Sequence, residues 1–288
     1  MGKGDAAAGL LSKSLAGYVS RFPYFPAKWR TGILGRALTW YESRFPYFPG
    51  KWLTIRWLCH VHYKQKQIDL YSKFIKKGDL CFDVGANLGN RTQVFLDLGA
   101  TVVAIEPQDS CVQTLRRKYR NQKRVILVQK GLDERPGERE MLICDYHALS
   151  SMSRDWIAAC KASGGWFSSF AWHASTVVPT TTLDRLIEEY GIPRFCKIDV
   201  EGFDYQVLKG LSRAIQYLSF EFGASYVGPA IDCINYLSSL GKYGFNYSEG
   251  ESMQLALPSW VRAEEVKEIL KSLQDKTIYG DVYAALIG

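Results

Sequence analysis

Leu80-Cys-Phe-Asp-Val-Gly-Ala-Asn-Leu-Gly-Asn90 decides the reading of this chain, because a short apolar run there meets two glycines and then a helical pattern. Leu80, Phe82 and Val84 alternate with Cys81 and Asp83, and an apolar run of this length bounded by turn residues fits a buried strand of a parallel sheet. Gly85 and Gly89 remove side chains where the backbone must bend sharply and lie against a ligand. Thr92, Val94, Phe95 and Leu98 then suit one helix, which Gly99 is placed to end.

The spacing inside this turn narrows its use. Dinucleotide-binding folds carry Gly-x-Gly-x-x-Gly, whereas this turn reads Asp83-x-Gly85-x-Asn87-x-Gly89, with a carboxylate two residues before the first glycine. A sulfonium cofactor brings an ammonium and a positive sulfur and no pyrophosphate, and an acidic turn suits that cargo. A second apolar strand, Val102 to Ile105, ends in Glu106-Pro107 about twenty residues after the first glycine, where a carboxylate can take both hydroxyls of a ribose. A bare βαβ core with an N-capping carboxylate would need Asp83 and Glu106 at two strand ends by coincidence.

Outward from this pair, strand and helix patterns alternate. Ser110 to Tyr119 reads as a helix and Val125 to Val128 as a third strand. The turn after it, Lys130-Gly131-Leu132-Asp133, stands where an adenine would pack. Met141 to Cys144 reads as a strand. Asp145 to Ser175 reads as a long irregular segment rich in Trp156, Trp166, Phe167, Phe170 and Trp172, the pattern of a lid or substrate loop, with His173 near its end as a candidate acid or base. Thr182 caps a short helix that runs to Tyr190. Phe195-Cys-Lys-Ile-Asp-Val-Glu-Gly202 is a strand that ends in Asp199 and Glu201, and in open α/β sheets ligands bind outside the carboxyl ends of strands. Further strands at Tyr217 to Phe222, Tyr243 to Tyr247 and Asp281 to Ile287, with helices around Ile234 and Val266, complete an α/β fold with a doubly wound, mostly parallel, seven-stranded Rossmann-like sheet.

Composition sets the bounds. The 288 residues carry a net charge of +7, and 47% are hydrophobic, enough for a sizeable core. Up to Leu58 there are nine Lys or Arg against two acids, whereas the remainder has 27 of each, so the basicity belongs to an N-terminal arm. We divide the chain into this arm, residues 1–60, and a catalytic domain, residues 61–288. The arm holds a repeat, Tyr18 to Trp29 and Tyr41 to Trp52, each copy containing Ser-Arg-Phe-Pro-Tyr-Phe-Pro followed by Lys-Trp. Between the copies, Ile33, Leu34, Ala37, Leu38 and Tyr41 have helical spacing. The arm reads first as an aromatic anchor against the catalytic body or a second subunit, and second as a peripheral contact with an anionic membrane surface. Nucleic acid is not favoured as a partner. Seven scattered cysteines with no Cys-x-x-Cys pair, and no apolar run long enough for a membrane span or a secretory signal, point to a reduced, cytoplasmic setting. His60-Val-His62 would put two imidazoles on one face of a strand but lacks a third ligand, so no metal site is assigned to it.

The motif order resembles that of the FkbM-type S-adenosylmethionine-dependent methyltransferases, which have the class I Rossmann-like fold. The resemblance rests on Gly78 to Gly89, Ala104-Ile-Glu106-Pro107, Thr181-Thr-Leu-Asp184, Lys197-Ile-Asp-Val-Glu-Gly202 and Val207-Leu-Lys-Gly210, about half the chain. It implies O-methylation of a hydroxyl on a sugar, glycolipid or polyketide-like acceptor, with S-adenosylmethionine as donor. Asp83, Gly85, Asn87 and Gly89 would line the methionine part of the cofactor and Glu106 its ribose, and Pro107, Gly131 and Leu132 complete the expected cofactor set. Phe203-Asp204 departs from the family's usual small residue and Glu, which leaves the shape of the acceptor pocket open.

Methyl transfer to an alcohol needs alignment and a base. Asp199 is the first choice for that base, followed by Glu201 and His173. Asp199, Glu201 and Glu221 are also a candidate divalent-cation set, though not the favoured reading. The competing readings are an N-methyltransferase on protein or nucleic acid, which would normally show Asn/Asp-Pro-Pro-Tyr/Phe where Asp199-Val-Glu-Gly stands, and a catalytically silent module tethered to an anionic surface.

Overall fold

A computed structural model describes residues 51–162, 169–275 and 277–287. The duplicated Phe-Pro-Tyr-Phe-Pro segments, the helical pattern from Ile33 to Tyr41, and Trp166 and Phe167 lie outside the described residues. The chain divides into two units, Met1–Val61 and His62–Gly288. Helix α1 runs from Lys51 to Tyr71. His60 and His62 therefore sit on a helix and not on a strand. No described helix is long and apolar enough to cross a membrane.

The main sheet is built from β1 (Leu80–Val84), β2 (Thr101–Ile105), β3 (Val125–Val128), β7 (Phe195–Ile198), β8 (Tyr217–Gly223), β9 (Tyr243–Glu249) and β10 (Tyr279–Leu286), in the spatial order β3-β2-β1-β7-β8-β10-β9. The five strands from β3 to β8 are mutually parallel, and β10 runs antiparallel to both β8 and β9. A smaller sheet, in the order β4-β6-β5, holds β4 (Gly131–Leu132), β5 (Gly137–Cys144) and β6 (Trp172–Thr181).

Strand alternation separates two cores. Phe82 and Val84 of β1, Val103 and Ile105 of β2, and Cys196 and Ile198 of β7 face one side, where α5 (Leu183–Tyr190), α6 (Asp204–Lys209), α7 (Gly228–Leu240) and α8 (Ala263–Ser272) cover them. Cys81, Val102, Ala104 and Phe195 face the other, under Tyr71 of α1, Phe95 of α2 (Asn90–Asp97) and Leu115 of α3 (Asp109–Tyr119). Tyr71 and Phe95 each set a ring edge-on against Phe195 at 5.5 and 5.7 Å. The chain leaves β1 for β2 on one side of the sheet and returns at β7 on the other. That reversal opens a crevice at the carboxyl ends of β1 and β7.

Two expectations change. Among its described residues, the segment from Asp145 to Ser175 holds a 3-10 turn at His147–Leu149, helix α4 (Arg154–Ala162) and the first residues of β6. Most of β6 is exposed, so no apolar alternation marks it as a strand. The Lys130–Asp133 turn contains a two-residue strand, β4, parallel to β6.

The helical caps follow the sequence. Thr182 Oγ1 accepts a hydrogen bond from the Arg185 N–H at 3.2 Å, and Gly99 N–H donates to Leu96 O where α2 ends. Thr182→Ala should therefore lower unfolding free energy by about 1 kcal/mol in urea titrations, whereas substitution of exposed Glu188 should leave it unchanged.

Candidate active site at the carboxyl ends of the strands

A solvent-open cleft lies over the crevice. Of the expected residues, Gly85, Asn87, Glu106, Pro107, Gly131, Leu132, Asp199 and Glu201 line it, together with Gln108, Met141, Ser150, Ser151 and Met152. Asp83, Gly89 and His173 do not. Asp83 is buried beneath the turn, where Thr92 Oγ1 donates to its carboxylate. Gly89 faces α3: a side chain there would meet Leu115 and Tyr119 at under 3 Å. His173 stands exposed on β6, with Nε2 at 3.3 Å from Asp145. It lies on the exposed part of β6 and is not among the residues that line the cleft.

Two features shape the cofactor half. Gly85 has φ +82°, and a Cβ there would fall 1.9 Å from the Asp199 carbonyl oxygen, so only glycine allows the end of β1 to lie against the end of β7. Glu106 is buried, and its two carboxylate oxygens accept from Asn87 N–H and Gln108 N–H, each at 2.8 Å. Burial outweighs these two bonds and pushes the Glu106 pKa up to about 7.

The other half is a carboxylate cluster. Strand β7 ends at Ile198, and Glu201 adopts φ +55°, so Asp199 and Glu201 line the cleft from the turn beyond the strand. An oxygen of Asp199, one of Glu201 and one of Glu221 all lie within 4.8 Å of one another. The countercharge comes from Lys197, buried in the sheet with its Nζ 3.1 Å from Asp199 and 2.8 Å from Asp281. Burial alone would raise the Asp199 pKa, but the charges of Lys197 and Arg91 hold it below the ordinary range. Burial, reinforced by the charge on Asp199, drives Glu201 and Glu221 well upward, and the same causes bring Asp204 to about 7. The cluster thus favours the ionised form at Asp199 and the protonated form at its carboxyl neighbours.

The sequence reading missed Asp281 and did not give Lys197 a role. Its signal was a lysine in the middle of the buried run Phe195-Cys-Lys-Ile198, where a cation needs a partner.

Comparison with known proteins fits this architecture. The pattern of the Methyltransferase FkbM domain matches residues 83–247. A curated relative, hexuronic acid methyltransferase AglP of Haloferax volcanii, is 27% identical over 161 residues, covering 54% of this chain and 60% of that protein. Among solved structures, methyltransferase FkbM from Methylobacillus flagellatus aligns with a TM-score of 0.44 at 18% identity, over 72% of this chain and 43% of that one. Precorrin-6y C5,15-methyltransferase from Geobacter metallireducens aligns with a TM-score of 0.42 at 9% identity, over 77% and 86%. The chain thus spans 60% of its curated relative's length and less than half of the FkbM structure.

The raised carboxyls give the fold a pH signature. A carboxyl with a folded pKa above its unfolded value of about 4.5 contributes stability that is complete below that value and is lost as pH rises through the folded pKa. For Glu106, at about 7, the loss approaches about 3 kcal/mol. The urea midpoint of the ligand-free protein should therefore fall between about pH 5 and pH 7.5, and a midpoint that rises across that window would contradict the buried placement of these groups.

Proposed function

The chain belongs to the FkbM methyltransferase family, and from that premise we propose that it transfers a methyl group from S-adenosylmethionine to a hydroxyl of a sugar, glycolipid or polyketide-like acceptor. The observation that carries this reading is a single cleft lined by a ribose-suited carboxylate, Glu106, and an ionised carboxylate, Asp199, on either side of Gly85. The sugar acceptor draws support from the hexuronic acid methyltransferase named among the relatives.

The side chains fit such a cofactor. Glu106, held by two backbone N–H groups, would accept from the ribose hydroxyls. Gly85 and Asn87 would border the methionine portion, and Gly131 and Leu132 the adenine, with Pro107 closing the wall between them. When bound, the cofactor supplies a methyl on a cationic sulfur, ready for in-line displacement by an oxygen nucleophile. Asp199, kept ionised by Lys197, would accept the acceptor hydroxyl's proton as the new bond forms. Glu201 and Glu221, held protonated, would orient the acceptor as donors, or Glu201 would serve as the base once ionised. Asp83, beneath the turn, would support the site through Thr92 without touching the donor.

Titration calorimetry with S-adenosylmethionine tests the cofactor half. Binding should be readily measured for the parent protein, and Glu106→Ala should weaken it roughly 10- to 100-fold, the loss of charge-assisted hydrogen bonds. A labelled-methyl screen against glycans and lipids tests the acceptor half. On the acceptor so found, Asp199→Asn should lower turnover about 100-fold or more while cofactor affinity stays within about threefold. Equal loss of cofactor binding in Asp199→Asn would remove its role as base.

A further inference from the structure

The register of the main sheet lines up an unusual row on its α1–α2 face. Asp83 pairs with Lys197, Lys197 with Ser219, Ser219 with Tyr283, and Tyr283 with Asn246, so five neighbouring strands present polar side chains in one line. The next line toward the carboxyl ends holds Glu221, Asp281 and Ser248. Opposite residues in paired strands share a face. This stripe is buried: Asp83, Lys197, Ser219, Tyr283, Asn246, Asp281 and Ser248 all fall inside.

Most of the charges there are matched. Asn246 is fully engaged with the loop at Leu257 and Ser259, and Lys197 pairs with two carboxylates. The hydroxyls are not. Among the described residues, seven buried side-chain polar atoms lack a protein partner, and five of them gather at this stripe: Ser219 Oγ, Ser248 Oγ, Tyr283 OH, Tyr71 OH and Arg91 Nε. Tyr71 reaches it from α1, packing on Phe195 and lying within the electrostatic reach of Lys197, Asp281 and Arg91. Lys197 adds a sixth incomplete group: its third N–H has only the Ile198 carbonyl at 3.5 Å, beyond good hydrogen-bond length. Left unmet, each buried group would cost roughly 5- to 150-fold in the folding equilibrium. Scattered orphans are accidents of side-chain placement; five around one buried ion pair share a cause.

We propose that this face of the sheet binds a buried cluster of ordered water, held by the hydroxyls of Tyr71, Ser219, Ser248 and Tyr283 and by Arg91 Nε, and completing the hydrogen bonds of Lys197. Buried water makes about three hydrogen bonds to groups that would otherwise go unmet, and the stripe offers donors and acceptors in that number. Serine and tyrosine hydroxyls both donate and accept, so a water chain can pass from Asp281 along Ser219 to Tyr283 without reversing a dipole. The cluster fixes the Lys197 ammonium between Asp199 and Asp281, which keeps the Asp199 carboxylate directed at the cleft. This goes beyond the methyl-transfer reading and does not depend on it.

High-resolution diffraction of the full chain, with urea unfolding of Ser219→Ala and Tyr283→Phe, tests the proposal without a methyl acceptor. The map should show ordered water within hydrogen-bond distance of at least three of the five atoms. Each variant, which removes one hydroxyl and little volume, should raise the unfolding equilibrium constant about 2- to 10-fold. Variants as stable as the parent or more so, as expected when a truly unmet hydroxyl is deleted, would overturn it. So would a map in which rotamer changes pair these groups with protein and no water density appears, whatever the unfolding data show.

Discussion

The ammonium of Lys197 is the charge on which the rest of the site turns. A lone cation in the middle of a sheet would be driven to neutrality by the loss of hydration. Here the register sets Asp281 two strands away and Asp199 two residues on, both within ion-pair distance. The pair of carboxylates keeps the lysine charged, and the lysine in turn keeps Asp199 ionised. Glu201 and Glu221 then stand, partly buried, next to an existing anion, which favours their protonated forms. One ion pair thereby divides a group of similar side chains into an acceptor of protons and holders of them.

Much of the fold was legible because its signals are local. The alternation in Leu80 to Val84, the glycines after it and the apolar runs at Val102 and Val125 each appear as the strands and turns expected of them. Asp199 and Glu201 were harder. Their two-residue spacing would set both on one face of a strand, whereas they line the cleft from the turn beyond β7, which stops at Ile198, with the Glu201 backbone left-handed. His173 shows the opposite failure. A histidine beside aromatics reads as a reactive group, but the pairing of β6 with β5 leaves it exposed and outside the cleft. Asp281 sits 84 residues from Lys197, and only the antiparallel insertion of β10 between β8 and β9 brings it under the site. No short window of sequence contains that information.

The smaller sheet illustrates why the long connection from Asp145 resisted reading. Its strands bury few side chains, and it gains its order from pairing with β5 and from contacts such as the Trp172 indole N–H to the Leu149 carbonyl at 2.8 Å. Ser151 Oγ donates to the Glu201 carbonyl at 2.7 Å, so this outer wall reaches the carboxylate turn directly. Trp156 lies where a side chain on Gly202 would stand, which seals that turn from the same direction.

The close approach of Gly85 to the Asp199 carbonyl leaves no room for independent adjustment on the donor side of the cleft. A side chain at position 85 would meet the backbone of Asp199 itself, which no exchange of the Asp199 side chain can move aside, so that position is held to glycine whatever the carboxylate beside it becomes.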